Sequence, residues 1–222
     1  GAKGLKIEVW SDFVCPFCYI GKRRLEKALA DFPHREQVSV TFRSFELDPY
    51  ADKDAAEPVL AALAHKYGVS QDEARKMTDG VAQQGAEEGL AFHFESAVTG
   101  NTFDAHRLFK YAETQGLGMA MAEKLFHAHF TASEHIGRRE TLLRLAEEAG
   151  LDREAAAQVL EDGRAFADEV RDDERRAYAL GVRGVPFFLF NDKYALSGAQ
   201  PAEVFEAALA QVWAEETSSD NG

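Results

Sequence analysis

Cysteine occurs twice in the 222 residues, at Cys15 and Cys18, with Pro16 and Phe17 between them. A chain of this length can bury a core of its own and needs no disulfide staple to fold. The spacing points to chemistry instead. Two intervening residues on the first turn of a helix bring two sulfurs close enough to bridge. A C-x-x-C pair at a strand-to-helix junction reads as a dithiol redox site. Cys15 would lie at the helix N-terminus, where unpaired N–H groups and the helix dipole favour a thiolate. Cys18, one turn in, would be the more buried sulfur and would attack a mixed disulfide formed on Cys15. Two other readings compete. Zinc asks for four ligands, and no further cysteine exists to supply them, so no metal is expected. A pair of inert buried thiols is the other. Pro16 and the junction position weigh against it.

The elements that must position this pair are legible from periodicity. Residues 5–10, LKIEVW, alternate apolar and polar, which predicts a strand with Leu5, Ile7 and Val9 on one face. A helix is predicted over 16–31, with Pro16 in its first turn, where a missing N–H costs nothing. Residues 38–47, VSVTFRSFEL, predict a second strand, parallel to the first across a right-handed crossover. From about 55 to 180 Ala, Glu, Leu, Arg and Lys dominate. Helices are predicted near 55–67, 71–88, 104–115, 119–130, 138–149, 153–161 and 164–180. Ser70 and Asp152 are start signals there, and Gly116 and Gly150 are stop signals. Residues 182–190 and 193–198 predict a hairpin turning at Asn191-Asp192. Pro201 opens a last helix to about 215, and the polar tail 215–222 is expected to fray. The fold class is therefore α/β, a mixed sheet with helices on both faces, in the order β-α-β, a long helical insertion, β-β-α. Residues 1–54 and 181–222 form one discontinuous domain in this reading, and 55–180 a helical insertion capping the active site.

The formal net charge of −13 argues against non-specific binding to nucleic acid or an anionic membrane. The basic run Lys22-Arg23-Arg24 reads as a solvated helix face. No apolar run approaches the roughly 18 residues of a membrane span, and the N-terminus lacks a secretory pattern, so a cytoplasmic protein is expected. Gly184-Val185-Pro186 puts a proline at the head of a strand. That fits either an edge position or a cis bond.

SDFVCPFCYIGKRRLEKAL, GNTFDAHRL (100–108), GVRGVPFFLF (181–190) and YALSGAQPAEVFEAAL (194–209) together resemble the DsbA-like branch of the thioredoxin fold, and within it the FrnE-like subfamily. The resemblance implies thiol–disulfide oxidoreductase or isomerase activity, with Cys15 attacking and Cys18 resolving. It makes Pro186 a cis proline facing the pair. The Val185 backbone would pair with an extended substrate chain, and Pro16 and Phe17 would border the same surface. No cofactor is implied beyond the redox-active disulfide, with glutathione as a co-substrate. The expected partners are a disulfide-containing protein or small thiol substrate and an external thiol reductant, because the chain has no second cysteine pair to relay electrons. The best-known DsbA proteins carry His between the cysteines. Pro16-Phe17 lacks it, which implies a milder potential suited to reductase or isomerase work.

Two further assignments stay open. Asn101 matches a position where related glutathione-linked isomerases bind substrate, but Asn101 or Thr102 would equally cap the helix starting near 104. Asp12 would either tune the thiols or be a solvated loop acid. The alternative function is a glutathione-dependent isomerase or transferase on a small aromatic substrate, with Trp10, Phe13, Phe17 and the 187–190 run lining an apolar pocket.

Overall fold

The computed structural model describes residues 4–220. Its elements run β1 (Leu5–Ser11), α1 (Pro16–Ala30), β2 (Val38–Ser44), β3 (Glu57–Pro58), α2 (Val59–Tyr67), α3 (Gln71–Glu87), β4 (Val98–Thr99), α4 (Phe103–Thr114), α5 (Gly118–Phe130), α6 (Arg139–Glu148), α7 (Arg153–Glu161), α8 (Ala167–Ala179), β5 (Phe187–Phe190), β6 (Tyr194–Ser197) and α9 (Ala202–Asp220). The main sheet has the order β2-β1-β5-β6. β1 lies parallel to β2, in register from Leu5 opposite Val38 to Ser11 opposite Ser44, and antiparallel to β5. The sheet is therefore mixed, as expected. The chain signals work as predicted where the backbone demanded them. Ser70 and Asp152 accept N-cap hydrogen bonds, and Asn191 and Asp192 both turn through positive φ, as a two-residue hairpin requires.

β1 departs from its alternating pattern, because Glu8, Trp10 and Ser11 are as buried as Ile7 and Val9. One face packs into the large core with α1 and α9. The other is closed by α8, where the Trp10 indole donates to the Asp173 carbonyl at 2.9 Å. Arg43 and Arg176 pair with buried Glu8 and hold its carboxyl down near 2 against the cost of burial.

Several boundaries moved. The strand predicted from 182 begins at Phe187, because the segment before it is the turn into the cis bond. The strand predicted to 47 ends at Ser44. A two-residue ladder, Glu57–Pro58 against Val98–Thr99, interrupts a segment read as wholly helical, and it delays α2 to Val59. The tail does not fray at 215: α9 continues to Asp220, with Thr217 Oγ1 bonding back to the Trp213 carbonyl at 3.0 Å and Lys193 pairing with Glu216 at 3.5 Å. Residues 221 and 222 lie outside the described residues. Lys22-Arg23-Arg24 is no solvated face. α5 and α3 lie across it, and Glu123 collects the Tyr19 hydroxyl, the buried Lys22 ammonium and the Arg23 guanidinium, while Arg24 reaches Glu88 and the Ala199 carbonyl. Among the described residues, no helix is long and apolar enough to cross a membrane.

Candidate active site

Cys15 is the N-cap of α1, with extended backbone, and Pro16 is its first helical residue. The Cys15 amide donates to the Asp12 carbonyl at 3.2 Å, which closes the turn between β1 and the helix. The Cys18 amide donates to the Cys15 carbonyl at 3.1 Å, so the pair is wound onto a single turn. Both cysteines are free thiols. Cys15 is 6% exposed and Cys18 is sealed at 0%, while Phe17 between them stands out at 38%. Only the first sulfur lies near the surface.

The surroundings pull the two thiols apart. The Cys18 side chain donates to the Cys15 sulfur and holds that thiol below its ordinary range, helped by the Cys18 and Phe17 amides and opposed by burial. Burial pushes Cys18 well above its ordinary range. The neighbouring Cys15 sulfur adds to this, and the Asp12 amide partly offsets it. A thiolate at Cys15 and a thiol at Cys18 is the arrangement in which one sulfur attacks and the other waits.

Across the cleft, the Val185–Pro186 bond is cis. The Cys15 Sγ lies 3.7 Å from the Val185 carbonyl oxygen, which accepts from it while Cys15 is a thiol. Pro186 is buried, and a shallow cleft of about 370 Å³ runs along 181–187 to Ser197 and Gly198. Gly21 was missed in the sequence. A Cβ there would come 3.2 Å from Pro186 Cγ and 3.2 Å from Phe188 Cζ, so its missing side chain lets α1 lie against the proline. Nothing in the local periodicity marks this, since Gly21 sits inside an otherwise ordinary helix.

Asp12 is not a solvated acid. It is 1% exposed. Its Oδ1 accepts from the Phe13 amide and its Oδ2 from the Leu47 amide, each at 2.9 Å, and His106 Nε2 lies 2.9 Å from Oδ1. His106 Nδ1 lies 2.9 Å from Ser44 Oγ. In sequence His106 belongs to the GNTFDAHRL segment at the helix start, and nothing there links it, or Ser44, to Asp12. Asn101 serves as the helix-start clasp: its Oδ1 accepts from the Phe103 amide and its Nδ2 donates to the Ala51 carbonyl, both at 2.8 Å. Thr102, the N-cap by position, makes no capping bond with its side chain.

The proposed aromatic pocket does not assemble. Phe13 packs on Phe109, Phe126 and His106 in the large core, whereas Trp10 packs on Phe187 across the sheet. His129 and His135 have five residues between them, a spacing compatible with zinc. Among the described residues, however, no group of three or more His, Cys, Asp or Glu is placed to hold a metal.

Comparison with known proteins fits this geometry. A probable DsbA oxidoreductase from Streptomyces coelicolor is 48% identical over 95% of this chain and 91% of its own, with a TM-score of 0.92. The Bacillus subtilis (strain 168) protein YwbO is 31% identical over 91% of this chain and 94% of its own. The cytosolic disulfide reductase DsbM from Pseudomonas aeruginosa, solved with GSH, shares the fold at 21% identity, covering 93% of this chain and 98% of its own, with a TM-score of 0.65. The model of the DSBA-like thioredoxin domain matches residues 6–210, and with the strand–C-x-x-C–helix site and the thioredoxin-like sheet in place, the chain belongs to that family.

Proposed function

We propose that this protein is a thiol–disulfide oxidoreductase of the FrnE-like subfamily, working as a reductase or isomerase on protein or small-molecule disulfides. The observation that carries this reading is the opposite displacement of the two thiols, Cys15 toward thiolate and Cys18 toward thiol, on one helical turn beside the Val185 carbonyl. The Cys15 thiolate attacks a substrate disulfide, forms a mixed disulfide and expels one substrate thiolate. Cys18 then loses its proton and attacks Cys15, and the second substrate sulfur leaves. The substrate disulfide gains two electrons and the Cys15–Cys18 dithiol loses two. An external thiol, with glutathione the candidate co-substrate, returns them.

The exposed Phe17, Pro16 and the cleft along 181–187 would border an extended substrate, with the Val185 backbone adding to its strand. Asn101 is committed to its own loop, so a substrate role there would have to use its remaining bonding capacity. The helices of 55–180 are read as a cap held on the 1–54 and 181–222 halves, a reading supported by the Asp12–His106 contact. The proposed setting is the cytoplasm, that of the fold relative DsbM.

The test is to equilibrate the protein across glutathione redox buffers and count free thiols by alkylation and mass spectrometry. A reversible Cys15–Cys18 disulfide is expected. Absence of any such disulfide at every poise would sink the reading and leave the glutathione-dependent isomerase as the account to pursue.

A further inference from the structure

Asp12 joins the dithiol through its own main chain. Its carbonyl accepts the Cys15 amide at 3.2 Å, and the Cys15 carbonyl in turn accepts the Cys18 amide at 3.1 Å. The carboxyl group is sealed from water, at 1% exposure. Two backbone amides donate to it, from Phe13 and Leu47, and His106 Nε2 lies 2.9 Å from its Oδ1. Each carboxyl oxygen accepts from an amide, the pattern of an ionised carboxylate, and against such a carboxylate His106 Nε2 donates. His106 comes from α4, far along the chain, and its other ring nitrogen, Nδ1, lies 2.9 Å from Ser44 Oγ. The Ser44 hydroxyl can accept from Nδ1–H or donate to a bare Nδ1, so it accommodates either form of a ring whose Nε2–H is held on Asp12.

We infer that His106 is a positioning residue for the redox centre: it holds Asp12 as a buried carboxylate beside both cysteines, and that fixed negative charge makes the dithiol a readier electron donor. A negative charge in a dry site is felt strongly by a nearby thiolate. The Asp12 charge opposes ionisation of Cys15 and of Cys18 alike. Because the reduced state carries the thiolate, this charge destabilises the dithiol relative to the uncharged disulfide. Burial keeps His129 neutral, with its proton affinity lowered to about 4, and Glu46, at the end of β2, is itself an acid.

This inference rests on the oxidoreductase reading, and the experiment separates the two. The quantity measured is the equilibrium constant for dithiol + glutathione disulfide ⇌ Cys15–Cys18 disulfide + 2 glutathione. It is determined for the wild type, Asp12→Asn, His106→Leu and His106→Gln, with circular dichroism to confirm folding. If the wild type forms no disulfide, the parent reading fails before any variant is compared. If it does, Asp12→Asn should lower the constant about tenfold, a shift of about 30 mV toward less reducing. His106→Leu should move it in the same direction, because the sealed carboxyl then keeps only its two amide donors and its negative charge is less well held. His106→Gln, whose amide can still donate to Asp12, should stay close to wild type. Folded Asp12→Asn within twofold of wild type would overturn the inference. So would a shift in Asp12→Asn with none in folded His106→Leu. If His106→Leu does not fold, Asp12→Asn and His106→Gln decide.

Discussion

The Cys15 sulfur and the Val185 carbonyl oxygen stand 3.7 Å apart, although 170 residues separate them in the chain. This contact places the attacking sulfur against the backbone of the segment that leads into β5. In the proposed reaction a substrate disulfide reaching Cys15 would pass along that backbone. The Cys18 residue is sealed beneath it at 0% exposure, so in that reaction it would meet only what Cys15 had captured.

The division of labour gives the first prediction. Cys15→Ser should abolish turnover of a disulfide substrate, because the serine hydroxyl cannot replace a stabilised thiolate. Cys18→Ser should accumulate a mixed disulfide at Cys15. Intact-mass measurement after glutathione disulfide treatment should find one added glutathione on Cys18→Ser and none on Cys15→Ser. Adducts on Cys15→Ser at a comparable rate would reverse the assignment.

Gly21 carries the close approach of α1 to Pro186 and Phe188. Gly21→Val should overpack this contact and destabilise the protein by about 1–3 kcal/mol. Urea unfolding checks it. An unchanged midpoint would mean that the β5 segment yields freely.

Glu123 is the acceptor for Tyr19, Lys22 and Arg23, and it ties α5 to the helix that carries the cysteines. These partners hold its carboxyl near 2 even though burial works against ionisation. Glu123→Ala leaves the buried Lys22 ammonium short of a partner. It should cost about 1–3 kcal/mol, the range for an unmade bond at a largely buried polar group. Equilibrium unfolding in urea reads this directly, and a loss under about 0.5 kcal/mol, the scatter of ordinary surface changes, would contradict it.

Acid stability should reflect two opposed groups. Burial lowers His129 to about 4, so its contribution is present above the unfolded value near 6.5 and is lost as pH falls toward 4. Between pH 7 and 5 this removes on the order of 2 kcal/mol. Burial, with Glu174 beside it, raises Glu46 to about 7, so its contribution is full below about 4.5 and is lost as pH rises through 7. His129→Leu should therefore flatten the acid loss and Glu46→Gln should steepen it. Urea unfolding at pH 7 and pH 5 separates them. Parallel shifts in both variants would show that neither group titrates with folding.

Much of the site was legible because its chemistry is local. Cys15, Pro16 and Cys18 lie within one helical turn, so spacing and the strand-to-helix junction sufficed to place a thiolate at a helix start. The hairpin at Asn191-Asp192 and the caps at Ser70 and Asp152 were legible for the same reason, since each depends on a few neighbouring residues. The sheet order, with β5 against β1, followed only once the halves of the chain met. What tertiary structure alone decided is every property that depends on who arrives from elsewhere. Asp12 is a loop acid by sequence, and it becomes a buried carboxylate because α4 brings His106 and the chain after β2 brings the Leu47 amide. Lys22 is a surface lysine by periodicity, and it is buried because α5 supplies Glu123. Trp10 and Phe13 are neighbours in sequence, and the sheet sends them to opposite cores. The local sequence fixes backbone conformation and intrinsic chemistry, but charge state and burial depend on long-range neighbours.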